Sequence, residues 1–237
     1  MEINDKIIKI FTSFFEKSIP LLDINYTWPL PKKNVLKGFT LNENDSLYKQ
    51  NIALKKFLTN EWKNNNYNSK IIIASWVVKD WGGIRGNNEK TLNDYLNRIE
   101  NNHNYSPLKG IASYSKILAA AFPEDYAIYD ARVAASLNAI QILNPCDGRI
   151  AFHYLAGRNN IVGNKNKKIG FTEDKRFSIK NLTSSDYNFL PIDKNNVYNI
   201  YINLLKNIVK KNPNLKLYEC EMVLFAQAEE LCTKVMN

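Results

Sequence analysis

Apolar side chains return every three to four positions through most of this chain, a period that fits helices and not alternating strands. Residues 3–19 carry Ile7, Ile8, Ile10, Phe11, Phe14 and Phe15 at that spacing, ahead of Pro20. A second helix is predicted over 45–63, with Leu47, Ile52, Leu54, Phe57, Leu58 and Trp62, and the polar tract 63–68 reads as a linker. Residues 69–80 suit a strand or a buried helix; the run continues to Trp81, which favours a helix stopped by Gly82-Gly83. Thr91 opens a further helix through Leu92, Tyr95, Leu96 and Ile99. From 144 to 196 the pattern dissolves into Gly, Asn, Lys and Asp, as a long basic loop or a few short elements. Helices over 196–211 and 216–235 close the chain. The expectation is one mainly α unit over 1–237, with a cleft between two helical lobes. The central lobe takes about 65–142, and the other is built from 1–64 and 143–237.

The 237 residues can bury one core or two small lobes that share a cleft. A net charge of +9 suits a polyanion such as nucleic acid or an acidic membrane, although abundant Asn, Lys and Ile make part of that charge a matter of composition. The longest apolar runs, such as Ile71-Ile72-Ile73-Ala74, are far too short to span a bilayer, and the N-terminus shows no signal-peptide pattern. Three cysteines, Cys146, Cys220 and Cys232, have no CxxC spacing and fit a reducing compartment. With only His103 and His153 besides, the expectation is no metal site and no cofactor.

The informative block is central. A turn over 106–111, centred on Gly110, starts a small-residue helix over 112–122 that Pro123-Glu124-Asp125 breaks. A short extended apolar piece, Tyr126-Ala127-Ile128-Tyr129, follows. Asp130 then stands at the N-cap of a helix over 131–142 that carries Val133, Ala134, Leu137 and Ile140.

Gly110-Ile111-Ala112 with the helix behind it, followed by Ile128-Tyr129-Asp130-Ala131-Arg132-Val133, resembles the core of the helix-hairpin-helix DNA glycosylases. Within that superfamily it looks most like the small 8-oxoguanine-glycosylase-fold proteins. The resemblance covers residues 70–142, with a weaker echo at Glu221-Met222-Val223-Leu224-Phe225. It implies a DNA N-glycosylase that flips a damaged or modified base out of the duplex, in repair or in defence against modified phage DNA. The setting implied is a monomer in the bacterial cytoplasm, associated with the nucleoid. Asp130 takes the place of the catalytic aspartate, and Lys109, Gly110 and Ile111 take that of the phosphate-binding hairpin. The family's Gly-Val-Gly is reduced here to Gly110-Ile111-Ala112. Bifunctional members carry a Schiff-base lysine whose place, counted from Gly110, falls on Tyr114; the nearest lysine is Lys116, about half a turn further on. Either the hairpin is shorter here and Lys116 faces the cleft as nucleophile, or water attacks.

The chemistry accounts for these residue types. Cleaving a glycosidic bond builds positive charge on the sugar, which a fixed carboxylate opposes, and a helix N-terminus favours a carboxylate. Asp130 is also an ordinary cap by residue type, and Lys116 an ordinary helix lysine. Arg132 suits a phosphate, or a pair with Asp130 or Glu124. Arg158, in a loop with lysines 165, 167 and 168, suits the DNA backbone or simply solvent. Trp81, beside Gly82-Gly83, is the candidate stacking surface; Tyr114 and His153 are candidate pocket walls, His153 being equally suited to the core. A rival reading keeps DNA binding without chemistry, as a sensor on a degenerate glycosylase scaffold.

Overall fold

The computed structural model describes residues 2–101, 107–157, 159–165 and 168–237, with the backbone alone at Asn164, Lys165 and Lys168. Ser106, His103, Arg158 and Lys167 lie outside the described residues. The fold is mainly helical. The chain runs through α1 (Asp5–Ser18), the short α2 (Leu22–Asn25), α3 (Leu47–Asn64) and α4 (Tyr67–Trp76). A π-helical turn, Val77–Trp81, extends α4, as expected of a buried helix that runs on to Trp81. Next come α5 (Glu89–Asn101), α6 (Ile111–Ala121) and α7 (Ala131–Leu143). The 144–196 region holds a two-residue antiparallel pair, β1 (Asn164–Lys165) with β2 (Lys168–Ile169), two 3-10 turns and the short α8 (Ile179–Leu182). α9 (Val197–Lys211) follows.

The last predicted helix divides into α10 (Leu217–Ala226) and α11 (Ala228–Met236) at Gln227. No proline or glycine marks that break. Packing accounts for it: both halves lie against α7, which is only about 20 Å long, so a straight helix of their combined length would run off its end.

α7 is buried on every side, and its polar residues serve the chain that crosses it. Asn138 and Gln141 face a segment with no sheet partner of its own on that side. The Asn138 amide bonds both the N–H and the carbonyl of Phe152, and the Gln141 amide does the same for Ile150. These four contacts satisfy buried backbone as a strand neighbour would. The Ser136 hydroxyl donates to the Leu224 carbonyl and ties α7 to α10. One cluster of buried apolar side chains runs from Ile3 to Cys232, and Ala151, Leu182 and Phe189 form a small satellite. The packing pairs α3 with α4 and α6, and α7 with α1, α10 and α11.

At the start of α6, Gly110 has φ 87°, and a Cβ there would lie 2.2 Å from the Tyr95 hydroxyl. Tyr95 is itself wedged edge-on against Tyr114. Gly110→Ala is expected to destabilise the protein by about 2 kcal/mol or more, from left-handed strain together with the displaced tyrosine. Thermal unfolding followed by circular dichroism should then show a midpoint lower by about 4–8 °C.

Candidate active site

The non-helical run 126–130 crosses from α6 to α7 inside the protein, with Ala127, Ile128 and Tyr129 buried. Its backbone is held by side chains. The Ser115 hydroxyl accepts the Tyr129 N–H at 3.0 Å, and the Tyr198 hydroxyl donates to the Ala127 carbonyl at 3.0 Å. The Tyr129 hydroxyl donates to the His153 carbonyl at 2.6 Å. The run therefore delivers Asp130 at a fixed place at the head of α7. There Oδ1 accepts the backbone N–H groups of Arg132 and Val133 at 3.0 and 3.1 Å. The other oxygen, Oδ2, lies 3.7 Å from Lys116 Nζ.

Lys116 is 7% exposed, so it is not the solvated helix lysine its type suggests. Its ammonium donates to the Ala112 carbonyl one turn back, at 3.3 Å. Its stem runs past Gly82, where a Cβ would lie 2.7 Å from Lys116 Cδ; a side chain there would occupy the lysine's path. Tyr114, two residues earlier, points into the core against Tyr95 and does not line the site. Of the two positions considered for the family's lysine, the structure thus brings Lys116 to Asp130.

Both side chains face a cavity of about 50 Å³, room for one or two waters. Its walls are aromatic. Trp28 and Phe225 meet edge to face at 5.3 Å, and Tyr26 and Trp81 complete the lining with Ile128 and Gly82. Asn51 fixes these walls. Its side-chain carbonyl accepts Trp81 Nε1–H at 3.0 Å, its amide donates to the Trp28 carbonyl at 3.0 Å, and Trp28 Nε1–H donates to the Trp81 carbonyl at 3.1 Å.

The remaining lining residue is Glu221 of α10, 2% exposed. It is paired at 3.2 Å with Lys55 of α3, itself 3% exposed, whose ammonium also lies 5.5 Å from the Trp81 ring centroid. Burial pushes the Glu221 carboxyl up, and Asp130 adds to that; Lys55 and Lys116 pull it down without cancelling the rise. The sequence reading noted Glu221 only as part of an echo and missed Lys55. Two signals mark them. α10 is apolar around its whole circumference except for Glu219 and Glu221, so a buried acid there needs a cation. Lys55 lies four residues after Asn51 and seven before Trp62, on the inward face of α3.

The other candidate residues lie elsewhere. Lys109 is exposed at the hairpin, whereas Ile111 is buried and its N–H is turned to the Leu108 carbonyl. Arg132 pairs with neither Asp130 nor Glu124. Its guanidinium donates to Glu229 at 2.6 Å and covers the Phe225 ring. His153 is a framework residue outside the cavity, with Nε2 2.8 Å from the Ile192 carbonyl. Among the described residues, no group of three or more His, Cys, Asp or Glu could hold a metal ion, and no helix is long and apolar enough to cross a membrane. No family model, curated protein or solved structure matches the chain.

Lys55→Met would strand Glu221 as an uncompensated buried acid and is expected to cost about 3–5 kcal/mol. The loss is pH-dependent. Without Lys55 the folded-state carboxyl rises further above its unfolded value of about 4.3, so the native state holds a proton the unfolded chain has released. Stability then falls as pH rises from that value through the folded one, and the variant should lose more at pH 8 than at pH 5. Lys55→Met combined with Glu221→Leu should recover most of the loss in denaturant titrations at both pH values.

Proposed function

We propose that this chain is a DNA N-glycosylase of the helix-hairpin-helix kind, with Lys116 as amine nucleophile and Asp130 as the carboxylate that opposes charge on the sugar. The observation that carries this reading is the placement of Lys116 Nζ 3.7 Å from Asp130 Oδ2 in one aromatic-walled cavity. A buried lysine beside a fixed carboxylate is the arrangement that amine attack on a sugar carbon requires. Capping does not compete with this role, since one carboxylate oxygen caps and the other faces the lysine.

In this reading α3–α6 form one lobe, and α7 joins the helices of the two chain ends in the other. The exposed Lys109 and the Gly110 backbone take a phosphate, and Ile111 contributes only by shaping the turn. α6 leads from that turn to Lys116, about 9 Å along its axis. The flipped nucleotide enters where Trp28 and Phe225 part, because the cavity as it stands is well below the several hundred Å³ of ordinary ligand pockets. Lys116 attacks C1′ as the base departs, and breaking of the C1′–O4′ bond then opens the sugar and leaves a Schiff base on the lysine. All of these groups come from one chain, so a monomer suffices.

Two measurements test the reading. Wild-type protein should release a base from at least one of a set of duplexes carrying 8-oxoguanine, hypoxanthine, uracil or 5-hydroxymethyluracil, read by mass spectrometry, and borohydride should trap it on abasic-site duplex. Lys116→Gln should lose both. Asp130→Asn keeps a capping side chain and should slow release by about two to three orders of magnitude, roughly 3–4 kcal/mol. Release without trapping would replace the lysine by water, and binding without either would favour the sensor. Separately, the net charge of +9 predicts that duplex affinity falls steeply between roughly 50 and 200 mM salt as neutralised phosphates release counterions. Titration of a fluorescent duplex measures that slope, and an unchanged affinity would remove DNA as the partner.

A further inference from the structure

The mechanism above uses Asp130 and Lys116 and leaves the second carboxylate of the cavity idle. Glu221 lines the same small space, on the opposite element, and is more deeply buried than Asp130. The two acids are held differently. Asp130 is fixed by two backbone N–H groups at a helix N-terminus, whereas among the described residues Glu221 accepts a hydrogen bond from the ammonium of Lys55 alone. Two carboxyls in one site with unlike surroundings divide into acid and base roles, the more buried one keeping its proton. Among the described residues, the charged groups that act on Glu221 all belong to this arrangement: Lys55 from α3, Lys116 from α6 and Asp130 from the head of α7. Tyr26, Tyr198 and Tyr201 also face it, with phenols that burial pushes far above their usual range, so they stay neutral.

We propose that Glu221 is the general acid of this site, giving its proton to the departing base, with Lys55 holding the carboxylate that remains. The inference rests on the glycosylase reading and extends it to the leaving group. When the C1′–N bond breaks, its electron pair stays on the base nitrogen. Lys116 first passes one ammonium proton to Asp130, its neutral amine forms the new C1′–N bond, and the surplus proton on that nitrogen goes to O4′ as the sugar opens. Glu221 supplies the proton that neutralises the base and becomes an anion 3.2 Å from the Lys55 ammonium. Charge and atoms balance with no further reactant, and solvent restores the Glu221 proton after the product leaves. Burial favours the protonated carboxyl before reaction, and Lys55 favours the carboxylate after it. The buried lysine thus has a use that a purely structural ion pair would not give it.

The test separates the leaving base from the lysine chemistry. Abasic-site duplex has no base to protonate, so Glu221→Gln should still be trapped by borohydride as wild type is. The same protein should release base from the four modified duplexes about 10²–10⁴-fold more slowly than wild type in single turnover. Wild-type release should fall on the alkaline side as Glu221 loses its proton, and Glu221→Gln should lack that fall. Lys55→Gln removes the charge that pulls Glu221 down, and should move the fall to higher pH. Glu221→Gln that releases base at the wild-type rate, or that loses trapping together with release, overturns the assignment, as does a Lys55→Gln profile that stays in place. Wild type that traps abasic duplex yet releases no base also overturns it, since such a lyase has no leaving base to protonate. Wild type that is never trapped refutes the lysine reading beneath it.

Discussion

Among the described residues no strand lies beside the run Ala127–Asp130, yet it passes through the interior, and the candidate site depends on how its backbone is satisfied. Buried amides without partners cost more than most single contacts return. Here the partners are hydroxyls placed by two other stretches of chain, Ser115 on α6 and Tyr198 on α9, and the run's own Tyr129 hydroxyl anchors it to the His153 carbonyl. Because each bond is directional, the run has little freedom to slide. Asp130 therefore meets the α7 N-terminus and Lys116 from a single direction. Polar contacts in the core set the position of the carboxylate to a degree that non-directional apolar packing does not.

The same principle recurs on α7. The side-chain amides of Asn138 and Gln141 stand in for a strand and lay residues 150–152 along the helix. Asn51 does comparable work at the cavity, where it joins two tryptophans that come from separate parts of the chain. Fully bonded buried amides of this sort specify one arrangement of backbone, and each would be expensive if left half-bonded.

The four ionisable groups at the cavity call for a different account. Lys55, Glu221, Lys116 and Asp130 lie close together with little water, where desolvation opposes every one of them. Apolar residues of similar size would pack such a space at lower cost. Retaining two lysines and two carboxylates there is what a site for proton transfer and amine attack needs, and this is the physical ground for treating the cavity as functional.

The sequence alone determined the helices, because a period of three to four is a local property that neighbouring residues carry by themselves. It also determined the turn at Gly110, the cap at Asp130 and the helical continuation to Trp81, each of which depends on side chains only a few positions apart. Tertiary structure decided the rest. The break at Gln227 has no local signal, since it arises from the length of α7 against which both halves pack. Tyr114 and Lys116 stand half a turn apart on one helix, and only the space beside Gly82 settles that the lysine faces the cavity while the tyrosine fills the core. Arg132 meets Glu229, nearly a hundred residues away, rather than either acid near it in sequence. Lys55 and Glu221 are 166 residues apart, and a charge pair formed across that distance exists only once the chain has folded.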